Sequence, residues 1–414
     1  MGHYTREGFA SRLNVRWQSI LPSCLVPPAV KAILQVTSEA ADLSASDCSA
    51  TELCERALLL GYSSLAGVGG NSRHRVVELL NLAADRVCGA MPSGIFSGLT
   101  SVGWTIEHLS RMLVSGWEAE GKDADYLENL DKIIIVRLER GRWLAPYDLV
   151  AGLVGIGVYF LERLPRKAAA RGLHLILGHL EQQAEYSDQG VTWFTPPELL
   201  PSHQREMCPT GYYNLGTAHG VPAVAQFLGE LVAASIEAER AKVLLNALMS
   251  WLLAHRQRSG AVSRYSNWIA PGDTQANLSR VAWCYGDLGI GGLLHHLALR
   301  LGREDWLEIA HSLLDGCLAR TEDRVRDAGL CHGALGVAHI YNRVHQVGRE
   351  GRYRDAAQRY YGRGLSMIDY SHRSFLEGSL GQALALISAV FPIEPHWDRR
   401  LLLSGRPFLV TGIL

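Results

Sequence analysis

The sequence carries almost no net charge. Forty Lys and Arg residues face 41 Asp and Glu, and charged residues make up only 20% of the chain. A balance of this kind lacks the basic footprint of a nucleic-acid binder and the polybasic cluster of a membrane anchor, so no nucleic acid is expected as a partner. Long apolar runs are missing too. No stretch of about 18 uninterrupted apolar residues is present to span a bilayer, and the opening MGHYTREGFA holds no apolar core of signal-peptide type. The expectation is a cytoplasmic chain. Cysteine is thinly spread, eight residues in 414, without the dense spacing of a disulfide scaffold. In a reducing compartment these thiols are packing residues, metal ligands or reactive groups. What the chain does have is bulk: 48% apolar residues suffice for a large core.

It also has an internal repeat. CYGDLGIGGLL at 284 is matched by CHGALGVAHIY at 331, LEGSLGQALAL at 376 and AHGVPAVAQFL at 218. Fainter copies are VAGLVGIGVYF at 150, FSGLTSVGWTI at 96 and YSSLAGVGG at 62. Aligned on the third residue of each, the anchors are Ser64, Gly98, Gly152, Gly220, Gly286, Gly333 and Gly378. The intervals, 34 to 68 residues, are long enough for two helices each. After Gly286, for example, IGGLLHHLALRLG and EDWLEIAHSLLDGCLAR are two apolar-periodic segments parted by Gly302 and Arg303. Each repeat therefore reads as a helix pair whose first helix starts at a glycine turn and lines an inner layer. Such pairs stack into an open solenoid or close into a ring. The seventh copy stays apolar where a capping repeat would be charged, which favours closure. The expected fold is an all-α, α/α toroid of seven helix pairs, 1–414 as one domain. Within it, 184–215 is rich in proline and aromatics and is expected to be an irregular or β-containing insertion over the mouth of the ring.

In a ring, equivalent turns converge at one rim, and two columns of the repeat carry the chemistry. Two residues before each anchor stand Tyr62, Phe96, Val150, Ala218, Cys284, Cys331 and Leu376; one before stand Ser63, Ser97, Ala151, His219, Tyr285, His332 and Glu377. Any one cysteine taken alone is more often a buried packing residue. Two cysteines at one repeat position, with His332 directly after the second, instead make three ligands for a tetrahedral zinc whose fourth position stays open, as in catalytic sites. His219 fits as a fourth ligand of a closed site or as a rim residue that only hydrogen-bonds. The remaining cysteines, Cys24, Cys48, Cys54, Cys88, Cys208 and Cys317, share no such register and are expected in the core or on the surface. His295 and His296, inside a helix, are expected to be structural.

WCYG at 283–286, CHG at 331–333 and AHG at 218–220, in this order and across seven marked helix pairs, resemble the lanthionine synthetase C-like family. The resemblance runs from about residue 60 to 390. Members include stand-alone lanthipeptide cyclases. It implies one zinc ion per chain on Cys284, Cys331 and His332, with His219 as the acid/base residue. It also places a functional aspartate before the third repeat, an arginine four residues before the first ligand cysteine and a tyrosine after it: here Asp148, Arg280 and Tyr285. Each of these has a plainer alternative. Asp148 is suited to capping a helix that starts near Leu149, Arg280 to pairing with Asp273 or Asp287, and Tyr285 to packing.

The implied substrate is a dehydrated precursor peptide, leader plus core, whose cysteine thiolates add to dehydroalanine or dehydrobutyrine to form thioether rings. A dehydratase and an exporter are implied as further partners, with association to the inner face of the membrane through them. Two other readings use the same ring: a family member that adds glutathione to dehydroamino acids, and a non-catalytic peptide-binding ring with structural zinc. A toroid glycosidase is more distant, because it needs two carboxylates across a cleft and the rim columns offer only Glu377 beside Asp148.

Overall fold

The structure is a computed structural model that describes residues 16–70, 72–113, 125–258, 260–272, 278–320 and 324–407. By packing it divides into two compact units. One comprises the described residues of Ile135–Asp323 and those from Asp398 onward; the other comprises those of Val15–Ile134 and Arg324–Trp397. Both are built from helix pairs.

In the first unit α1 (Leu153–Arg163) pairs with α2 (Lys167–Gln183), α3 (Val221–Ala233) with α4 (Ala238–Ala254), and α5 (Asp287–Leu301) with α6 (Glu304–Leu318). The two members of a pair differ in burial as inner and outer layers must. Every residue of α5 from Asp287 to Arg300 is buried, whereas α6 buries one stripe, Trp306, Ala310, Leu313, Leu314 and Cys317. Small residues let the inner helices close up. The Phe227 ring occupies the space where Gly157 lacks a side chain, and Leu297 does the same at Gly229. Glu230 on α3 ties down α5: it accepts from His296 Nε2 at 3.0 Å and pairs with Arg300 at 3.3 Å. Burial opposes its charge, but the Arg300 guanidinium and the His296 hydrogen bond outweigh burial and hold its carboxyl below the usual range.

The second unit repeats the scheme. Helices Ala50–Leu65 and Arg73–Asp85 pair, as do Ala334–Gly348 and Gly351–Leu365. The last inner helix, Ser379–Val390, is followed by no further α-helix among the described residues and packs on Val26–Asp42. The junction is fastened by Ile20 N–H to Ala389 O at 2.8 Å and by the Trp17 indole to Ser388 O at 2.7 Å. The apolar character of the seventh repeat thus has a direct cause: its outer partner comes from the N-terminal part of the chain.

The six glycine anchors each stand immediately before a helix, at Leu99, Leu153, Val221, Asp287, Ala334 and Ser379. At each, backbone of the residue six earlier, or close by, lies where a side chain would start. A Cβ would sit 2.2 Å from Pro146 O at Gly152 and 2.2 Å from Arg280 O at Gly286. Only glycine closes this turn, which is why it marks the repeat. Ser64 is a correction. It lies in the last turn of Ala50–Leu65, and the first repeat begins instead at Ser49, whose side chain accepts from Glu52 N–H while the Glu52 carboxylate accepts from Ser49 N–H. A capping box replaces the glycine turn there.

Gly286 also has φ +99°, so Gly286→Ala combines a forbidden backbone with a clash. We expect a loss of at least about 2 kcal/mol and a melting midpoint several degrees lower. Gly89→Ala, in open space at ordinary φ, is the control expected to melt as the wild type.

Residues 185–214 form the expected excursion. A hairpin pairs Glu185–Ser187 with Gly190–Thr192, and Phe194–Thr195 pairs with Tyr212–Asn214, all antiparallel. Between them lie a 3-10 turn, Pro197–Leu199, and a short helix, Ser202–Met207, where no helix was expected. The sheet has a third strand from outside the segment: Trp268–Ile269 pairs with Tyr213 and Asn214. No described helix is long and apolar enough to cross a membrane.

Candidate functional site

In the first unit the turns before α1, α3 and α5 supply Asp148, His219, Cys284 and Tyr285. The last two turns are laced together. Ala218 N–H donates to Cys284 O at 3.3 Å, and the Thr217 hydroxyl donates to Trp283 O. Trp283 is itself buried, its indole donating to Leu401 O at 3.1 Å. This places His219 on the turn that abuts Cys284.

Asp148 is 7% exposed and uses both carboxylate oxygens. Oδ1 accepts from Ala151 N–H at 2.7 Å and Oδ2 lies 2.6 Å from His219 Nδ1. One oxygen thus takes an N–H of the turn, as a capping carboxylate does, and the other meets His219, although the helix starts at Leu153 rather than near Leu149. Burial pushes the His219 pKa down, but the hydrogen bond and charge of Asp148, with the charge of Cys284, outweigh it and raise the imidazole above its ordinary value. Nδ1 is thus the ring nitrogen that Asp148 holds.

Tyr285 does more than pack. Its ring fills the space beside Gly216, and its hydroxyl accepts from Asn214 Nδ2 at 3.0 Å. Asn214 Oδ1 accepts from Gly216 N–H at 2.8 Å, which fixes the amide so that Nδ2 faces the tyrosine. Burial pushes the Tyr285 pKa well above the usual tyrosine value, so the hydroxyl stays protonated. Arg280 is exposed. Of the two aspartates proposed to pair with it, Asp273 lies outside the described residues. Asp287 is engaged elsewhere, by Arg320 and by the N–H groups of Arg264 and Tyr265.

In the second unit Cys331 and His332 stand together on the turn before Ala334. Cys331 N–H donates to Leu376 O at 2.9 Å, which steadies the turn. His332 Nε2 lies 3.4 Å from Asp327 Oδ2, while Asp327 Oδ1 accepts from Gly329 N–H at 2.7 Å. Cys284 is buried; Cys331 and His332 are half-buried. No two of the eight cysteines are joined in a disulfide. Cys54, Cys208 and Cys317 are buried, Cys24 and Cys88 exposed, and Cys48 lies between. His296 serves Glu230, and His295 packs against the His311 ring.

Asn214 and Asp327 were not singled out by the sequence. Both stand six residues before an anchor glycine, as Arg280 does. Nothing in the alignment marks that third column, because an Asn or Asp before a helix is an ordinary turn residue; the close turn is what brings it beside the anchor.

The model of the family described as lanthionine synthetase C-like protein matches residues 57–402. The chain belongs to that family. A curated relative, nisin biosynthesis protein NisC of Lactococcus lactis subsp. lactis, is 23% identical over 350 residues, covering 78% of this chain and 80% of its own length. A solved structure of a nisin cyclase superposes with a TM-score of 0.75 at 18% identity, over 92% of this chain and 98% of that one. The likeness carries the fold class, all-α and of the α/α toroid type.

Proposed function

We propose that this chain is a zinc-dependent lanthipeptide cyclase, adding cysteine thiolates of a dehydrated precursor peptide to dehydroalanine or dehydrobutyrine to close (methyl)lanthionine rings. The observation that carries the reading is the Asp148–His219 pair, an acid/base group on the turn abutting Cys284, in a member of the lanthionine synthetase C-like family. The similarity to NisC and to nisin cyclase supports it.

In this reading Cys284, Cys331 and His332 hold one zinc ion. Their donor chemistry fits, since two thiols and an imidazole each offer one ligand atom, and zinc is bound by such sulfur and nitrogen donors. When bound, zinc supplies the acidity that makes a thiolate of a cysteine at neutral pH, where a thiol of pKa about 8.5 is mostly protonated. Asp327 holds the His332 ring from Nε2, the kind of outer support that orients a ligand imidazole.

The chain's other residues handle the protons. His219 Nε2 takes the proton of the incoming thiol. The S–Cβ bond forms as the π pair of the dehydroamino acid moves toward its carbonyl, giving an enolate. His219 then returns a proton to the α-carbon. Arg280 and the protonated Tyr285 hydroxyl stabilise the enolate oxygen, and Asp148 holds His219 in place through Nδ1. No group leaves, so the reaction is an isomerisation.

The neutral form of His219 is the base, so the rate should fall as pH drops through its raised pKa. Asp148→Asn removes the charge that raises that pKa and should move the acid limb of kcat/KM to lower pH, besides lowering its plateau. An unmoved limb would remove His219 from that role.

The reading is tested by incubating zinc-loaded protein with a dehydrated, cysteine-containing peptide and counting alkylatable thiols. Thiols should disappear at constant peptide mass. An unchanged count with every dehydrated peptide tried would overturn the cyclase; a glutathione adduct in its place would shift the assignment to the glutathione-adding reaction.

A further inference from the structure

The first unit has a cavity of about 160 Å³ that shares Asp148 and His219 with the site just described. Its outer wall is the insertion, through Leu199, Leu200, Gln204 and Tyr212; its inner wall is the turn of Tyr147 and Ala151. We propose that this cavity is a subsite for one large apolar side chain of the peptide, borne by a residue next to the dehydroamino acid that reacts at His219. The proposal rests on the cyclase reading and specifies what that enzyme selects.

Size sets the first limit. A cavity of roughly 150 Å³ with apolar walls accepts a benzene-sized guest, so this one admits a single leucine- or phenylalanine-sized side chain and no folded segment. Lining chemistry sets the second. The hydroxyls are already spent: Tyr212 donates to Gln204 Oε1 at 2.7 Å, Tyr147 to Trp193 O at 3.3 Å, and the Thr195 side chain bonds the Tyr147 hydroxyl. The carboxylate of Asp148 is spent on Ala151 N–H and His219. The Asn214 amide is spent on Gly216, Tyr212 and Tyr285. A charged guest would give up its water against groups that are mostly already paired, which is costly. An apolar guest gains by covering Leu199 and Leu200. Position sets the third. Because His219 is on the rim and delivers the α-proton, a chain whose α-carbon meets Nε2 presents an adjacent side chain to the cavity.

Ala151 is exposed and contributes only its N–H, so Ala151→Phe fills the cavity without cutting into a core. Leu199→Ala is the complementary enlargement. The probes are dehydrated peptides with one cysteine, carrying Phe or Gly in turn before and after the dehydroamino acid. Rates come from thiol counting, and binding from calorimetry on the same peptides with the cysteine alkylated. At one flank the wild type should prefer Phe by about tenfold or more in KM and in binding, within the range an apolar pocket discriminates. Ala151→Phe should bring that ratio to within about twofold, and Leu199→Ala should lower it. Equal affinity for Phe and Gly at both flanks, or a preference that survives Ala151→Phe, overturns the subsite. If the wild type consumes no thiol, the cyclase reading fails, and the calorimetric ratio still decides the cavity.

Discussion

His219→Ala is expected to slow thiol consumption by about 10²- to 10⁴-fold, the range that a positioned acid/base group contributes, while the protein keeps its fold and the zinc proposed for it. The basis is local. His219 is half-exposed at the end of a turn whose neighbours do the packing: Ala218 N–H bonds Cys284 O, and Thr217 bonds Trp283 O. Removing the imidazole leaves those links intact. The decisive comparison is between rate and metal content. If His219 were a fourth ligand of a closed site, its loss would weaken zinc binding in parallel with the rate. If it only hydrogen-bonded the rim, or if the protein were a non-catalytic ring, the rate would not follow it. Rate loss with full zinc content, read by metal analysis and thiol counting on one preparation, is the outcome that fits an acid/base residue. Asp148→Asn should fall short of His219→Ala, because the imidazole remains and loses only its orientation and its raised pKa.

How far the sequence reveals this arrangement depends on where steric and chemical demands fall on single residues. The anchor glycines are legible because backbone four to six residues earlier leaves no room for a Cβ, so the same letter recurs at six turns. The first turn escapes that rule because Ser49 and Glu52 satisfy its helix end with side chains instead, and an alignment on glycines slides past it to Ser64. Cys284, Cys331, His219 and His332 are legible because a repeat makes a cysteine or histidine conspicuous against its column. Asn214 and Asp327 are not, since an Asn or Asp before a helix is an ordinary turn residue. Only the geometry shows one holding Tyr285 and the other beside His332. Trp268–Ile269 escapes for a different reason: a two-residue strand has no periodicity, and its pairing with Tyr213 and Asn214 bridges more than fifty residues of chain.

Cys331→Ala should have the opposite signature from His219→Ala, with zinc and activity lost together. On the proposed Cys284–Cys331–His332 site, one thiolate of three protein ligands disappears. Replacing an outer-shell partner typically costs 10- to 100-fold in metal affinity, so loss of a ligand itself should exceed about 100-fold. The fold has little reason to fail. Cys331 is half-buried, and its N–H bond to Leu376 O, which steadies the turn, is kept by alanine. Asp327→Ala supplies the intermediate step, since it leaves all three donors and removes the carboxylate beside His332 Nε2; its affinity should fall by about 10- to 100-fold. The measurement is chelator competition at fixed pH, because thiolate ligands release protons when metal binds and the apparent affinity moves with pH. The graded order wild type, Asp327→Ala, Cys331→Ala in zinc affinity, with thiol consumption tracking occupancy and restored to Asp327→Ala by excess zinc, is what a Cys284–Cys331–His332 centre requires. Full zinc content in Cys331→Ala would place the metal elsewhere in the chain and return Cys284 and Cys331 to packing roles.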